Sequence, residues 1–163
     1  VDWTALLRAS ETPSAPDLLP LAPPAPTAQP YARRVLHSVP AGELLLIRWS
    51  PGRWTLPHDH GHAGGEVWVL QGWVEETGWR EDPGALTQVS HRRATAGGCV
   101  TVRAGQIHAM RGHDGAVTLH RYWPQAQGMR VFQGDQVFHV PEGHGAWAVD
   151  PDLGLVGQAI GAG

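Results

Sequence analysis

After residue 10 the chain never sustains the three-to-four-residue apolar spacing of a helix over as many as a dozen residues. From Tyr31 onward it breaks into short apolar or alternating runs, cut by glycines and prolines that number 21 and 14 in the whole chain. The runs fall at 43–50 (ELLLIRWS), 66–76 (EVWVLQGWVEE), 86–90 (LTQVS), 98–103 (GCVTVR), 116–123 (AVTLHRYW), 129–133 (MRVFQ) and 136–140 (QVFHV). Turn sequences such as EDPG and QGDQ join them. Short strands with this punctuation bury their faces only by stacking or closing, so the pattern predicts an all-β sandwich or barrel.

Ahead of the strands, residues 2–9 read as a short helix with Asp2 as its N-cap. Residues 12–30 hold seven prolines and no periodicity, the mark of an extended or looped arm. With 163 residues, 42% of them hydrophobic, one domain with a proper core is expected. We divide it into an arm at 1–30 packed on the body, a barrel at 31–145 and a Gly-rich tail at 146–163, the chain from 141 on being held loosely.

Charge and composition exclude several functions. A net charge of −3 and a pI near 6.4 offer no basic surface for nucleic acid. No apolar run approaches the ~20 residues of a membrane-spanning helix. Asp2, Arg8 and Glu11 in a Pro-rich context do not make a secretory signal. Cys99 is the single cysteine, so no internal disulfide forms, and a reducing cytoplasm is the expected location. We expect a monomer. The excess lies elsewhere, in ten histidines and eight tryptophans.

Three of the histidines alternate in LPHDHGHAGG. On a strand, alternate side chains share a face, so His58 and His60 reach one metal ion, whereas His62 would lie about 13 Å from His58. His62 is therefore expected at a rim or on the surface. A third ligand has to arrive from another strand, and His108 in RAGQIHAM, a lone histidine after a Gly turn, is the best candidate. His58, His60 and His108 would give a metal three neutral nitrogen ligands on one side, leaving positions for substrate and dioxygen. His37, His91, His113, His139 and His144 show no partner pattern. The tryptophans other than Trp49 are expected in the barrel core.

An H-x-H pair followed by a distant G-x-x-H resembles the cupin superfamily, whose fold is a double-stranded β-helix barrel. Many cupins add a glutamate four or five residues after the H-x-H pair. Here Glu66 follows His60 by six, and we expect it not to be a ligand. The segment TLHRY resembles the Ser-x-His-x-Tyr set of the cysteine dioxygenases, with Thr118, His120 and Tyr122 on one strand face. Tyr31-Ala32-Arg33 resembles the Tyr-x-Arg of the same family, and Trp49 stands nine residues before His58, as it does there.

The resemblance, which runs from about Tyr31 to Pro124, is to a bacterial-type thiol dioxygenase. It implies iron(II) held by His58, His60 and His108, and a small thiol and O2 as partners. It places Thr118, His120 and Tyr122 as the catalytic set, and Arg33, Tyr31 and Trp49 around the substrate. The expected reaction converts L-cysteine to cysteine sulfinic acid. Arg33 would clamp the carboxylate, with Arg34 as the residue most easily confused with it. The rival thiol is 3-mercaptopropionate, which lacks the amine, although family members acting on it often carry Gln in place of this Arg. Outside the class, the rivals are a metal cupin isomerase using Glu66 and a cupin that only binds ligands.

One chemical consequence follows from these spacings. Animal cysteine dioxygenases join the active-site tyrosine to a cysteine five residues after the second histidine of H-x-H. That position here is Gly65. Tyr122 is therefore predicted to be a free phenol, and Cys99 an ordinary small core residue. Intact mass and peptide mapping should find no linked Cys99 and Tyr122 peptides; a pair short of two hydrogens would contradict this.

Overall fold

A computed structural model describes residues 2–8 and 14–162 of the chain. Helix α1 (Trp3–Arg8) starts where the Asp2 carboxylate accepts the Ala5 N–H at 3.0 Å, satisfying a donor that the first turn leaves open. Residue 9 of the expected helix lies outside the described residues. The arm is less irregular than its prolines suggested. Pro16 sits in the first turn of α2 (Ala15–Leu18), where its missing N–H has no cost, and a 3₁₀ turn follows at Leu19–Leu21.

The body is built of strands β1 (Tyr31–Val39), β2 (Gly42–Trp49), β3 (Gly64–Asp82), β4 (Ala85–Thr95), β5 (Cys99–Val102) and β6 (Ile107–Trp123). Beyond these lie β7 (Met129–Gln133), β8 (Gln136–Val140) and β9 (Gln158–Ala159). The larger sheet has the order β1-β2-β6-β3-β4 with β5 added against β3; the smaller is β7-β8-β9. β1 has no counterpart among the expected strands, because it is an edge strand with a bulge between Val35 and His37 and a half-polar sequence. The expected strand at 116–123 is the second half of the longer β6, whose first half carries His108. The tail is pinned rather than loose: β9 pairs with β8, and Ile160 packs with Ile107, Phe132 and Val137.

β3 and β6 form the spine. The first part of β3 pairs with the end of β6 and the second part with its start, across register shifts around Gln71. The bulges let both strands bend and serve two walls of the barrel. Gly72 takes φ 68° there, and a Cβ on it would lie 2.5 Å from the His113 carbonyl oxygen.

β2 is buried along nearly its whole length, in keeping with the continuous apolar run of ELLLI. Ile47 and Trp49 join Val67, Val69, Val74 and Met110 in one core cluster. On the opposite parity, Leu46 packs with Leu18, Leu70, Val117 and Leu119, a second cluster fringed by Trp3 and Leu6 of α1. Arg121, 2% exposed, ties α1 down by donating to the Leu6 carbonyl at 3.1 Å while pairing with Glu66.

Two expectations are corrected here. Trp49 alone among the eight tryptophans is fully buried; Trp3, Trp68, Trp79 and Trp147 pack partly buried against the core clusters as expected, but Trp54 and Trp123 are 36% and 44% exposed. Rings this large find complete burial only where the wall is continuous on every side. Cys99 is exposed, because β5 alternates and turns Val100 and Val102 inward instead.

Leu18 is 2% exposed within the cluster under the arm. Leu18→Ala should therefore lower the unfolding free energy by about 2–4 kcal/mol in urea titration. A loss below about 1 kcal/mol would show that the arm does not dock as described.

Candidate metal centre

The H-x-H segment does not form the regular strand that its alternation predicted. Residues 52–59 are instead an irregular cord laced to two strands at once. On one side Gly52 N–H donates to Gly112 O and Thr55 N–H to Met110 O, both at 2.9 Å. On the other, Asp59 N–H donates to Arg130 O at 3.1 Å, and Phe132 N–H to Pro57 O at 2.9 Å. Between them His58 and His108 exchange both backbone hydrogen bonds at 2.9 Å, an antiparallel bridge that sets their side chains next to each other. Asp59, 2% exposed, accepts from Arg130 N, Arg130 Nε and Gly61 N, which fixes the turn that brings His60 round to the same side.

As a result His58, His60 and His108 each offer one ligand atom, and these atoms lie within 4.8 Å of one another. His60 Nε2 and His108 Nε2 are 3.2 Å apart. His58 Nδ1 faces the Leu56 carbonyl at 2.9 Å, and His108 Nδ1 faces Glu76 Oε1 at 2.8 Å. An acceptor behind Nδ1 keeps the proton there and leaves Nε2 as a lone pair, the form that binds metals. Burial, reinforced by the neighbouring histidines, pushes His58 down to about 3 and His60 well below its usual range. The set is all nitrogen and contains no carboxylate ligand, and it fits a first-row divalent metal better than magnesium or calcium. Among the described residues it is the one such group.

Thr118, His120 and Tyr122 share a face of β6 and form a directed chain. Trp49 Nε1 can only donate, and it gives its proton to Thr118 Oγ1 at 2.9 Å. Among the described contacts, His120 Nε2, at 2.9 Å, is then the acceptor for the Thr118 hydroxyl. His120 must carry its proton on Nδ1 and give it to the Tyr122 oxygen at 3.0 Å. Tyr122 thereby keeps its own proton to donate, and its hydroxyl stands 3.2 Å from His60 Nε2. Burial pushes His120 down to about 3, with His108 nearby adding to the effect, and pushes Tyr122 well above its usual range. Both groups are neutral at physiological pH.

The triad, His120, Tyr122 and Trp49 line a cavity of about 370 Å³, together with Tyr31, Arg33 and Glu43, while Thr118 stands behind the wall. Arg33 reaches it from β1, whereas Arg34 points to solvent. The Tyr31 ring lies 5.4 Å from those of both Trp49 and Trp147, and its hydroxyl accepts the Ala146 N–H at 2.9 Å. The Trp49 indole N–H is thus spent on Thr118, and toward the cavity Trp49 presents only ring surface. Exposed Pro141, Glu142 and Gly143 edge the cavity beside His144, a residue to which the sequence pattern assigned nothing.

His62 is exposed, and His91 and His113 pair with Glu75 on the outer surface. Glu66 is held by Arg121 and by Trp68 Nε1 and does not belong to the histidine group. Gly65 sits so close to Tyr122 that a Cβ there would come 2.6 Å from the ring. Glu43, Glu76 and Asp59 are buried carboxylates around the site that the motifs did not single out.

A family model described as cysteine dioxygenase type I matches residues 23–135. Solved structures with the same fold include an uncharacterised conserved protein with a double-stranded β-helix domain from Klebsiella pneumoniae. It is 17% identical, with a TM-score of 0.51, over 76% of this chain and 93% of that one. A recombinant oxalate oxidase in complex with glycolate is 19% identical, with a TM-score of 0.54, over 66% of this chain and 58% of that one. KdgF from a Halomonas species is 16% identical, with a TM-score of 0.50, over 61% and 84%. At such identities these likenesses speak to the fold, which is a cupin-type double-stranded β-helix.

The depressed histidines give the metal-free protein a pH signature. An unfolded histidine takes up a proton near pH ~6.5, while His58 and His120 in the fold resist it down to about 3. The unfolded chain binds more protons in that window, so stability is full above about 6.5 and falls progressively toward 3. The denaturant midpoint should drop between about pH 7.5 and about pH 5, and His120→Gln should flatten the slope. A midpoint that rises on acidification would contradict the neutral assignment.

Proposed function

The chain belongs to the cysteine dioxygenase type I family, and on that premise we propose that it is an iron(II)-dependent thiol dioxygenase converting L-cysteine and O2 to cysteine sulfinic acid. The observation that carries this reading is the meeting, in one cavity, of a buried histidine triad, a guanidinium and a tyrosine polarised to donate. His58, His60 and His108 would hold the metal. Iron(II), when bound, supplies the coordination positions at which thiolate and dioxygen are brought together and the electrons that activate dioxygen. Three neutral ligands leave the cation's charge uncompensated, so an anionic thiolate is welcome there. That preference separates such a site from one with a carboxylate ligand.

The remaining residues bind, orient and shield. Arg33 offers a planar pair of donors for the substrate carboxylate, and its field already reaches Glu43 and Tyr31. Tyr122, held by His120, would donate its hydrogen bond to the reacting thiol or oxygen atoms of a bound substrate. Met110, Ile47 and Leu45 give the cavity an apolar wall that limits water and strengthens those polar contacts. The isomerase reading fares less well, because the Glu66 carboxylate is committed to Arg121 and Trp68. No helix among the described residues is long and apolar enough to cross a membrane.

Oxygen uptake by iron-loaded protein separates the readings. Cysteine should be consumed fastest, 3-mercaptopropionate more slowly, and cysteamine poorly because it gives Arg33 no carboxylate. Arg33→Ala should raise KM for cysteine roughly 10²-fold, with Arg34→Ala near wild type. His108→Ala should lose both iron and sulfinate formation. Faster turnover of cysteamine than of cysteine, or full activity in His108→Ala, would overturn the proposal.

A further inference from the structure

The triad's histidines are supported unequally. His58 Nδ1 rests against a neutral carbonyl, that of Leu56. His108 Nδ1 rests against a carboxylate, Glu76 Oε1 at 2.8 Å, in a place where both side chains are 1% exposed. Glu76 comes from β3, where its register partners are Met110 of β6 and Arg92 of β4. Its second oxygen pairs with Arg92 Nε, and Arg92 also donates to the Thr101 carbonyl on β5 at 2.7 Å. The Arg92 side chain is 43% exposed. A continuous chain of charged hydrogen bonds therefore runs from solvent through Arg92 and Glu76 to the back of His108.

We propose that Glu76 is a positioning residue that fixes the Nδ1–H tautomer of His108 and raises its donor strength, with Arg92 setting how much of the carboxylate's charge the imidazole feels. The inference rests on the reading of His108 as a metal ligand. An ion pair that served only to join β3 and β4 could lie at the surface between Arg92 and either neighbour. Burying the carboxylate and turning one oxygen onto a ring N–H is costly unless that N–H needs an anion behind it. An anionic acceptor draws the Nδ1 proton and gives the ring partial imidazolate character, which strengthens its σ-donation and favours the higher oxidation state of a bound metal.

The pair of variants Glu76→Gln and Arg92→Gln tests this, with two readouts taken on the whole protein and independent of turnover. One is iron(II) affinity by anaerobic competition with a chromophoric chelator; the other is the Fe(III)/Fe(II) potential by mediated titration. Glu76→Gln keeps an acceptor but loses the charge. It should weaken iron(II) binding about 10–100-fold and shift the potential upward. Arg92→Gln removes the counter-charge and should shift the potential downward. Opposite shifts are the signature that simple loosening of the fold would not produce. Shifts of the same sign, or affinity and potential unchanged in Glu76→Gln, would overturn the proposal. Should Glu76→Gln not fold, Arg92→Gln carries the test alone: a downward shift sustains the proposal and an unshifted potential ends it. His108→Ala, measured in parallel, separates the two levels. Undiminished iron affinity in that variant would refute the ligand reading itself, whereas its loss beside an unaltered Glu76→Gln would refute only the role of Glu76.

Discussion

The pair of backbone hydrogen bonds exchanged by His58 and His108 is the contact on which the site depends. The two residues are 50 positions apart by their numbers and lie on segments of different character, one irregular and one at the start of the long strand β6. Their bridge makes them cross-strand neighbours, and neighbours of this kind have Cβ atoms about 5 Å apart. Everything needed to hold the bridge is local to it. Thr55 is laced to Met110, Pro57 to Phe132, and Asp59 locks onto Arg130, so the cord between β6 and β7 has little freedom to shift register. Once it is set, His60 follows two residues on, and the third nitrogen arrives without a further element.

The interior then decides the chemistry of those nitrogens. Removed from water, the His58 and His60 imidazoles resist protonation, and the histidines beside them add to that resistance. The same burial keeps Tyr122 protonated and His120 neutral, so the chain starting at Trp49 has one direction available. A fixed donor that needs no reorganisation is the kind of group that lowers a barrier by electrostatics alone. The fold thus brings together a histidine triad that could hold a metal, a hydroxyl set to donate and a guanidinium within one small cavity.

Much of this could be read before any coordinates. The Gly and Pro punctuation gave the all-β class, and the H-x-H, G-x-x-H and T-x-H-x-Y spacings gave a donor set that the fold does bring together. Alternation on β6 put Thr118, His120 and Tyr122 in one line because no bulge falls between them. Where bulges do intervene, parity is lost. Glu76 lies beyond the register shifts around Gln71, so its inward direction could not be counted from Val67 or Val69. Cys99 shows the converse: on a strand of four residues, the choice of which parity faces in was settled by Val100 and Val102. The pinning of the tail was not legible because β9 is two residues long and is defined by its partner rather than by its own sequence. Asp59 stood in plain sight between His58 and His60, but nothing in the sequence named Arg130 as its partner.

A thiol dioxygenase transfers both atoms of dioxygen to the sulfur of the thiol it holds. Isotope tracing addresses this most directly. Iron(II)-loaded protein is mixed anaerobically with L-cysteine, exposed to ¹⁸O₂, and the product is examined by mass spectrometry. The account predicts cysteine sulfinic acid carrying label at both sulfinate oxygens, in step with the oxygen consumed. Cystine with unlabelled sulfur and label recovered as hydrogen peroxide, or a sulfinate whose oxygens come from water, would contradict it.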